Sequence, residues 1–380
     1  MIKGFHRSLS LNITSGRSKG MKADSVHVIA TPVEPVAARA IEDYEINPPN
    51  AAVNINEAAA FAYLRSHNFP IGLIKAYIDG LKKRPIRFFI IDDSGSMSTN
   101  DGKMLIDQKN VVKCSRWNEL CTTIKFHVLL AHEANAPTEF RFLNLAEPIL
   151  IGNGDSSHTN CDILMDILNN ESPNGGTPLC KHIREIVAVV KNMEQSLIAH
   201  RQRVSLIIAT DGESSDGNIA EVLKPLEFLK CDVIIRLCTD QDSIVDYWNN
   251  IDSDLELSID VLDDIFGEAK EVERVNPWLN YCAPLHRFRE SGILLQEFDM
   301  LDEGALSTDQ MKNFLAILFN RQDYPMPQLH WKQFESAVTQ DVDNSLRYFS
   351  ANLKVQNKKI ISVTTLRRMY SPNNGGCTIM

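Results

Sequence analysis

Between residues 86 and 250, short apolar runs alternate with segments of helical periodicity, and this alternation constrains the fold more than any other feature of the chain. Strand-like patterns occur at 86–91, 139–145, 149–151, 204–209 and 233–237, and helical patterns occur at 117–130, 178–197 and 219–229. The last two strand-like runs are apolar on both faces, which suits a sheet covered on both sides. We therefore predict an α/β fold with a doubly wound, mostly parallel, Rossmann-like sheet that has helices on both faces. We expect 139–145 and 149–151 to form an antiparallel hairpin.

The first strand ends in a loop that is rich in oxygen donors. Asp92, Ser94 and Ser96 are spaced two residues apart, and Gly95 between the serines allows a sharp turn. Carboxylate and hydroxyl oxygens are hard donors, which suit a small hard cation such as Mg²⁺. The same residues also form ordinary turns, so this loop by itself indicates a metal site only weakly.

Two later segments offer further oxygens where the fold would bring them to the same edge of the sheet. Residues 174–179 form a Gly-rich loop that opens a helix and presents Thr177, which could equally be a helix cap. Asp211 follows the strand at 204–209 in a Thr-Asp-Gly sequence, which could be a simple turn. Ligands of such folds bind outside the carboxyl ends of the strands, so the three segments in this order predict one site.

With these three segments, residues 86–255 resemble a von Willebrand factor A-type (vWA) domain, and the segments match the metal-ion-dependent adhesion site of that family. The resemblance implies that Ser94, Ser96 and Thr177 bind Mg²⁺ or Mn²⁺. It implies that Asp92 holds the metal directly or through water and that Asp211 is the carboxylate of the third loop, often acting through water. It also implies an open coordination position that an Asp or Glu of a partner protein fills.

Two enzyme classes with a similar loop after a first strand fit the sequence less well. Haloacid-dehalogenase-type phosphatases need a second Asp where Ser94 stands, and a serine-hydrolase elbow needs G-x-S-x-G, which is not found around Ser96. The histidines form no H-E-x-x-H motif. We therefore expect a recognition site and no catalytic one. A regulatory subunit of an enzyme and a metal-dependent hydrolase stay open as alternatives.

Composition and periodicity divide the whole chain into five segments. These are a basic arm and linker (1–50), a small helical element (51–84), the vWA-like domain (85–255), a helical region (256–343) and a basic tail (344–380). The element at 51–84 faintly resembles a ubiquitin-associated bundle, which makes a ubiquitin-linked adaptor a further alternative. In the last two segments we expect helices at 308–319 and 331–350, a short strand at 359–363 and a buried Trp278.

The chain ends in Cys377-Thr378-Ile379-Met380, a C-a-a-X sequence whose final Met favours farnesylation of Cys377. One lipid chain anchors only weakly, so stable attachment needs a second signal. The charged residues after Asp343 are all basic, and each adds about 1 kcal/mol of attraction near an anionic membrane surface. We therefore expect peripheral attachment to an anionic membrane through the farnesyl group and the basic tail.

Charge and cysteine content argue against several other classes. The chain has 39 Lys and Arg against 49 Asp and Glu, a net charge of −10, which argues against nucleic acid as a partner. Its cysteines form no C-x-x-C pair, which argues against zinc fingers and thioredoxin-like chemistry and favours a reducing compartment. There is neither a secretory signal nor an apolar run of spanning length. We expect a cytoplasmic, membrane-associated adaptor protein and not an enzyme.

Overall fold

The structure, a computed structural model, describes residues 54–106, 110–154, 156–239, 241–257, 259–351 and 357–372. The predicted basic arm at 1–50 and the predicted lipidation site Cys377 lie outside these ranges. Among the helices of the described ranges, none combines the length and the apolar character that crossing a membrane requires.

A six-stranded sheet lies at the centre of the fold and confirms the predicted α/β class. The strands in chain order are β1 (Arg87–Ile91), β2 (Gly102–Ile106), β3 (Asn110–Cys114), β4 (Thr138–Phe142), β5 (Ile149–Ile151), β6 (Val204–Thr210), β7 (Cys231–Leu237), β8 (Ile259–Leu262), β9 (Arg347–Tyr348) and β10 (Lys358–Lys359). The central sheet has the order β5-β4-β1-β6-β7-β8. Its neighbouring strands are parallel except for β4 and β5, which form the predicted antiparallel hairpin. β2 pairs with β3, and β9 pairs with β10, outside this sheet.

Helices connect the strands and extend beyond them at both ends of the described part of the chain. In chain order they are α1 (Glu57–Ser66), α2 (Ile71–Lys82), α3 (Arg116–Glu133), α4 (Ser157–Asn170), α5 (Leu179–Ala199), α6 (Ile219–Leu223), α7 (Asp242–Asp254), α8 (Ile265–Val275), α9 (Ala283–Arg289), α10 (Gln296–Asp299), α11 (Thr308–Phe319), α12 (Pro327–Asn344) and α13 (Val363–Tyr370). Short 3₁₀ helices lie at Gly95–Ser98 and Lys224–Phe228.

Helices cover both faces of the sheet, which allows its strands to be apolar on both sides. In β1, Phe89 and Ile91 pack with residues of α3 and α4 in one hydrophobic cluster. Side chains alternate along a strand, so Phe88 and Ile90 point to the opposite face, and they are also fully buried. On α5, which packs against β1, buried residues recur every three or four positions, as expected of a helix with one apolar face.

Helices that precede and follow the sheet share a second hydrophobic cluster with residues of α3. Leu73 and Tyr77 of α2 recur at helical spacing and are fully buried in it. A Cβ atom at Gly72 would lie 1.9 Å from the backbone oxygen of Ile317, so α2 and α11 approach each other too closely for a side chain. Trp278 is also fully buried in this cluster, as predicted from the sequence.

Several predicted boundaries were wrong, and local chemistry explains two of them. The predicted helix at 219–229 is α6 followed by a 3₁₀ helix, because Pro225 has no N–H to continue an α-helical ladder. The predicted strand at 359–363 is limited to β10 and a single bridge at Ile361, since Ser362 caps α13 by accepting a hydrogen bond from the N–H of Thr365. The predicted helix at 331–350 ends at Asn344. Strand β8 lies beyond residue 255, the expected end of the sheet-containing segment.

A buried ionic network joins the sheet to the C-terminal helices. Glu290, which follows α9, accepts hydrogen bonds from Arg236 of β7 (3.2 Å) and from Arg287 (2.6 Å). Burial raises the pKa of the Glu290 carboxyl, but Arg287, His286 and Arg236 outweigh it and hold that pKa well below its usual range. The Nε2 atom of His127, on α3, lies 4.0 Å from the same carboxylate. Burial lowers the pKa of His127 well below its usual value, so this imidazole is neutral in the folded protein.

Replacing His127 should change the pH dependence of stability. Below its usual pKa of about 6.5 the imidazole binds a proton in the unfolded chain but not in the fold, so its contribution to stability is lost as pH falls. We expect wild type to lose up to about 1.4 kcal/mol per pH unit relative to His127→Gln between pH 6.5 and 5. Urea unfolding at several pH values measures this difference.

The comparison has to be made between variants, because other buried groups act in the opposite direction. Burial raises the pKa of Asp260 to about 6 and that of Asp299 to about 7, so these carboxyls bind protons preferentially in the folded state. His200→Gln makes the same substitution at an exposed position and is the control. Equal slopes for wild type and His127→Gln would contradict the assignment of a neutral buried imidazole.

Candidate metal site

The register of two neighbouring parallel strands sets the position of the candidate site. Ile91, the last residue of β1, lies opposite Ala209 of β6. The chain continues the pairing for one more residue, because the N–H of Asp92 donates to the backbone oxygen of Ala209 (2.9 Å). Both strands end at this edge, so the loops that begin at Asp92 and at Asp211 start side by side.

Asp92 is fully buried and is held by hydrogen bonds at both carboxylate oxygens. Oδ1 accepts from the backbone N–H of Ser94 (2.9 Å), and Oδ2 accepts from the hydroxyl of Thr210 (2.6 Å). Burial raises the pKa of the Asp92 carboxyl despite these bonds. Each carboxylate oxygen has a second lone pair, so Asp92 can still bind a metal ion or a metal-bound water molecule.

The two serine hydroxyls and Asp211 form a continuous chain of oxygen atoms. The Ser94 and Ser96 Oγ atoms are 3.0 Å apart, and the Ser96 hydroxyl donates to Asp211 Oδ1 (2.8 Å). In an octahedral Mg²⁺ site with bonds of 2.0–2.1 Å, neighbouring ligand oxygens are about 2.8–3.0 Å apart. Both spacings are also ordinary O–H···O hydrogen-bond distances, so they are compatible with Mg²⁺ or Mn²⁺ but do not by themselves select the ion.

Thr177 reaches the site through its loop, which lies between the other two loops. On one side, the N–H of Gly95 donates to the backbone oxygen of Gly175 (3.2 Å). On the other side, the N–H of Ser215 donates to the backbone oxygen of Thr177 (2.8 Å). Gly175 has φ of 85°, and a Cβ there would lie 2.5 Å from the side chain of Asn144, so this turn requires glycine. The half-buried Thr177 hydroxyl makes no hydrogen bond to another described residue, which leaves it free to bind an ion.

Arg116 is a member of the site that the sequence did not reveal. Ser115 caps α3 and so places Arg116 at the first position of the helix. Its guanidinium is buried, donates to Asp211 Oδ2 (2.9 Å) and forms a two-bond ion pair with Asp101. Asp101, followed by Asp211, raises the pKa of Arg116, and hydrogen bonding to Arg116 in turn lowers the pKa of Asp101. Arg116 thus neutralises one side of Asp211 and leaves its other oxygen to Ser96.

Asp93, next to the predicted ligand Asp92, has a structural role. Its carboxylate accepts hydrogen bonds from the N–H of Asn144 (2.9 Å), the side chain of Asn144 (2.8 Å) and the N–H of Leu145 (2.7 Å). The Asn144 side chain also donates to the backbone oxygen of Gly176 (2.9 Å). Asp93 therefore links the loop after β4 to the loop that carries Thr177.

The sequence analysis did not assign Asn144 or Arg116 to the site, and only Asn144 could have been predicted from the sequence. Asn144 follows β4, which neighbours β1, so the rule that ligands gather at strand ends could have included it. Arg116 lies outside every strand end, and its contact with Asp211 depends on how α3 packs on the sheet. Nothing in the sequence around Arg116 indicates that contact.

A separate group of carboxylates lies in the C-terminal part of the described chain. Ligand oxygens of Glu268, Glu271 and Asp302 are all within 4.8 Å of one another, close enough to share a metal ion. Arg289 is buried among them and forms ion pairs with Glu268 and with Asp302 (3.2 Å). Because this guanidinium already supplies a counter-charge, we assign no metal to the group.

No protein-family model matches the chain, and no curated protein has significant sequence similarity to it. The interpretation of the site therefore depends on its motifs, its fold and its geometry.

Substitutions at Asp92 and Asp93 should separate metal binding from stability. Asp92→Asn removes a carboxylate from the predicted ligands but keeps a side chain that can accept from the Ser94 N–H. We expect Mg²⁺ and Mn²⁺ affinity to fall by more than about 100-fold, with the thermal midpoint nearly unchanged. Titration calorimetry with Mg²⁺ and electron paramagnetic resonance of Mn²⁺ measure the affinity.

Asp93→Asn is the matched control, because it changes the same charge one residue away. It should cost about 1–3 kcal/mol of stability through lost hydrogen bonds while metal affinity changes only a few-fold. If Asp92→Asn binds Mg²⁺ as tightly as wild type, the metal site has been assigned to the wrong residues.

Proposed function

We propose that the protein is a metal-dependent adaptor that binds an acidic side chain of a partner protein through Mg²⁺ or Mn²⁺. The main support is the chain of close oxygen contacts from Ser94 through Ser96 to Asp211. Asp92 is fixed beside this chain by Thr210. The resemblance of the three loops to a vWA-type adhesion site points in the same direction.

The charges of the site favour recognition of an anion. Ser94, Ser96 and Thr177 would contribute neutral hydroxyl oxygens, so only Asp92 and Asp211 oppose the double charge of the ion. Arg116 neutralises part of the charge of Asp211. A metal ion in these surroundings stays electrophilic and attracts a further carboxylate. Ser96 is exposed, so that carboxylate can approach from solvent.

The C-terminal basic segment supports the proposed attachment to membranes. Lys358, Arg367 and Arg368 are exposed, and the last two lie on α13, which ends seven residues before Cys377. Arg367 is also paired with Glu335, so part of its charge is already compensated. In this proposal, farnesylation of Cys377 and these cations together hold the protein at the cytoplasmic face of an anionic membrane.

Partner binding should require both the metal ion and Asp211. Full-length protein immobilised in Mg²⁺ is expected to retain a set of proteins from a cell extract that EDTA releases. Asp211→Asn should lose the same set, because the carboxylate that contacts Ser96 is then removed, while Asp93→Asn should keep it. Quantitative mass spectrometry of the retained proteins gives the comparison.

The decisive step uses the protein that is captured. Replacing its metal-binding Asp or Glu by the corresponding amide should abolish binding to wild type, whereas other acidic residues should be replaceable. Retention that is equal with and without EDTA, and equal for wild type and Asp211→Asn, would refute a metal-dependent adaptor. Metal-dependent hydrolysis of phosphoesters that is lost in Asp92→Asn would favour the hydrolase alternative.

Membrane attachment should depend on Cys377 and on the basic residues of α13. A farnesyltransferase with a tagged farnesyl donor should label wild type but not Cys377→Ser. Reversing Arg367 and Arg368 to Glu should reduce sedimentation of the farnesylated protein with phosphatidylserine vesicles by at least tenfold, since each cation contributes about 1 kcal/mol. Reversing Lys191 and Arg201, on and after α5, is the control. Equal labelling of Cys377→Ser would refute the lipidation site.

The ubiquitin-linked alternative has less support from the helices at its predicted position. Leu73, Ile74 and Tyr77 of α2 are fully buried, and α2 packs directly on α11. This apolar face is therefore engaged within the protein. Titrating the full chain with ubiquitin distinguishes this alternative from the adaptor proposed above.

A further inference from the structure

A cavity of about 310 Å³ lies between α1, β2, α3 and α9. Its volume is at the lower end of the range of about 300–1,000 Å³ in which proteins bind small molecules. None of its lining residues belongs to the loops that carry Asp92, Thr177 and Asp211. The cavity is therefore a separate site from the candidate metal site.

The walls of the cavity are mostly aromatic and aliphatic. The rings of Phe69 and Phe126 are stacked with centroids 5.8 Å apart and planes at 4°. Tyr63 lies against Phe126 at 5.5 Å and is fixed by a hydrogen bond from its hydroxyl to the Phe126 backbone oxygen (3.0 Å). Met104 and Leu129 complete the apolar lining from β2 and α3. These packed side chains form a preformed apolar surface that a ligand can cover without reordering the protein.

Three cationic side chains and one carboxylate line the same cavity. The cations are Lys103, Lys125 and Arg287, and the carboxylate is Glu119. Glu119 is already bound to the buried Arg236. Arg287 is paired with Glu290, but neither lysine ammonium lies within the 4.0 Å limit of an ion pair with a described carboxylate. The Lys103 ammonium lies 5.9 Å from the centre of the Phe266 ring and helps to lower the pKa of Asp101, so the charge of Lys125 is the less compensated of the two. In a chain of net charge −10, an apolar cavity lined by these cations favours an anion.

We propose that this cavity binds a small amphiphilic anion, with its apolar body against Tyr63, Phe126 and Leu129 and its carboxylate or phosphate at Lys103 and Lys125. The apolar walls supply most of the binding free energy, and the lysines determine the sign of the charged group. A medium-chain fatty acid has this chemistry, and so does an alkyl or prenyl phosphate. Two lysines are point charges without a fixed fork geometry, so they accept either head group.

Binding can be measured by titration calorimetry on full-length protein with dodecanoate, dodecyl phosphate and dodecylamine, each below its micelle concentration. We expect saturable binding of one anion per chain and at least tenfold weaker binding of the amine. A stronger response to dodecanoate than to dodecyl phosphate identifies the fatty-acid source, and the reverse identifies the phosphate source. The same titrations in EDTA should be unchanged, which separates this site from the metal site.

Two substitutions test the location. Lys125→Glu should weaken dodecanoate binding at least tenfold, whereas Lys191→Glu, which makes the same change on the exposed side of α5, should have no effect. Leu129→Trp should block the cavity, with circular dichroism confirming that the fold is retained. If it unfolds the protein, Lys125→Glu alone decides.

Three results would overturn the proposal. The first is equal affinity for dodecanoate and dodecylamine, and the second is equal affinity of wild type and Lys125→Glu for dodecanoate. The third is tighter binding of a farnesylated peptide of residues 366–380 than of any of the anions, with an affinity that Lys125→Glu leaves unchanged. That result would assign the cavity to the lipidated tail of the chain itself.

Discussion

The parallel pairing of β1 with β6 determines where the oxygen atoms of the candidate site meet. With Ile91 opposite Ala209, the side chains that follow the two strands face each other across one strand spacing. A shift of one residue would move Phe88 and Ile90 to the wrong face of the sheet, because side chains alternate. Both faces are buried under helices, so packing against those helices protects the register. The geometry of the site is therefore a consequence of the hydrophobic core.

Hydrogen bonds order the site without help from a metal ion. Asp92 is fixed by Thr210, Ser96 by Asp211, and the loop of Thr177 by Ser215. The conformational entropy of these loops is thus lost when the protein folds and not when an ion binds. In small zinc domains, by contrast, metal binding and folding are one event. Here an ion would join a set of ligands that are already in place, and removing it would leave the fold intact.

The sequence predicted the sheet well because its strands are apolar on both faces and are separated by periodic helices. It predicted that the loops of Asp92 and Asp211 lie side by side, because both follow strands directly, and that the loop of Thr177, which precedes α5, joins them. It did not predict Arg116, whose role depends on the packing angle of α3, or the pairing of Asp93 with the loop after β4. It also missed α4 and α7, which have few buried residues for their length. The contacts that were not predicted join segments that are distant in the sequence, and local sequence patterns carry no information about such contacts.

The two edges of the central sheet are short. One edge is β5, with three residues, and the other is β8, with four. Long exposed edges invite other chains to extend a sheet by adding a strand, whereas short ones offer too few unpaired backbone groups for this. Self-association into extended β-structure is disfavoured for the same reason. Neighbouring molecules that contact this domain are therefore more readily recognised by loops and side chains than by its backbone.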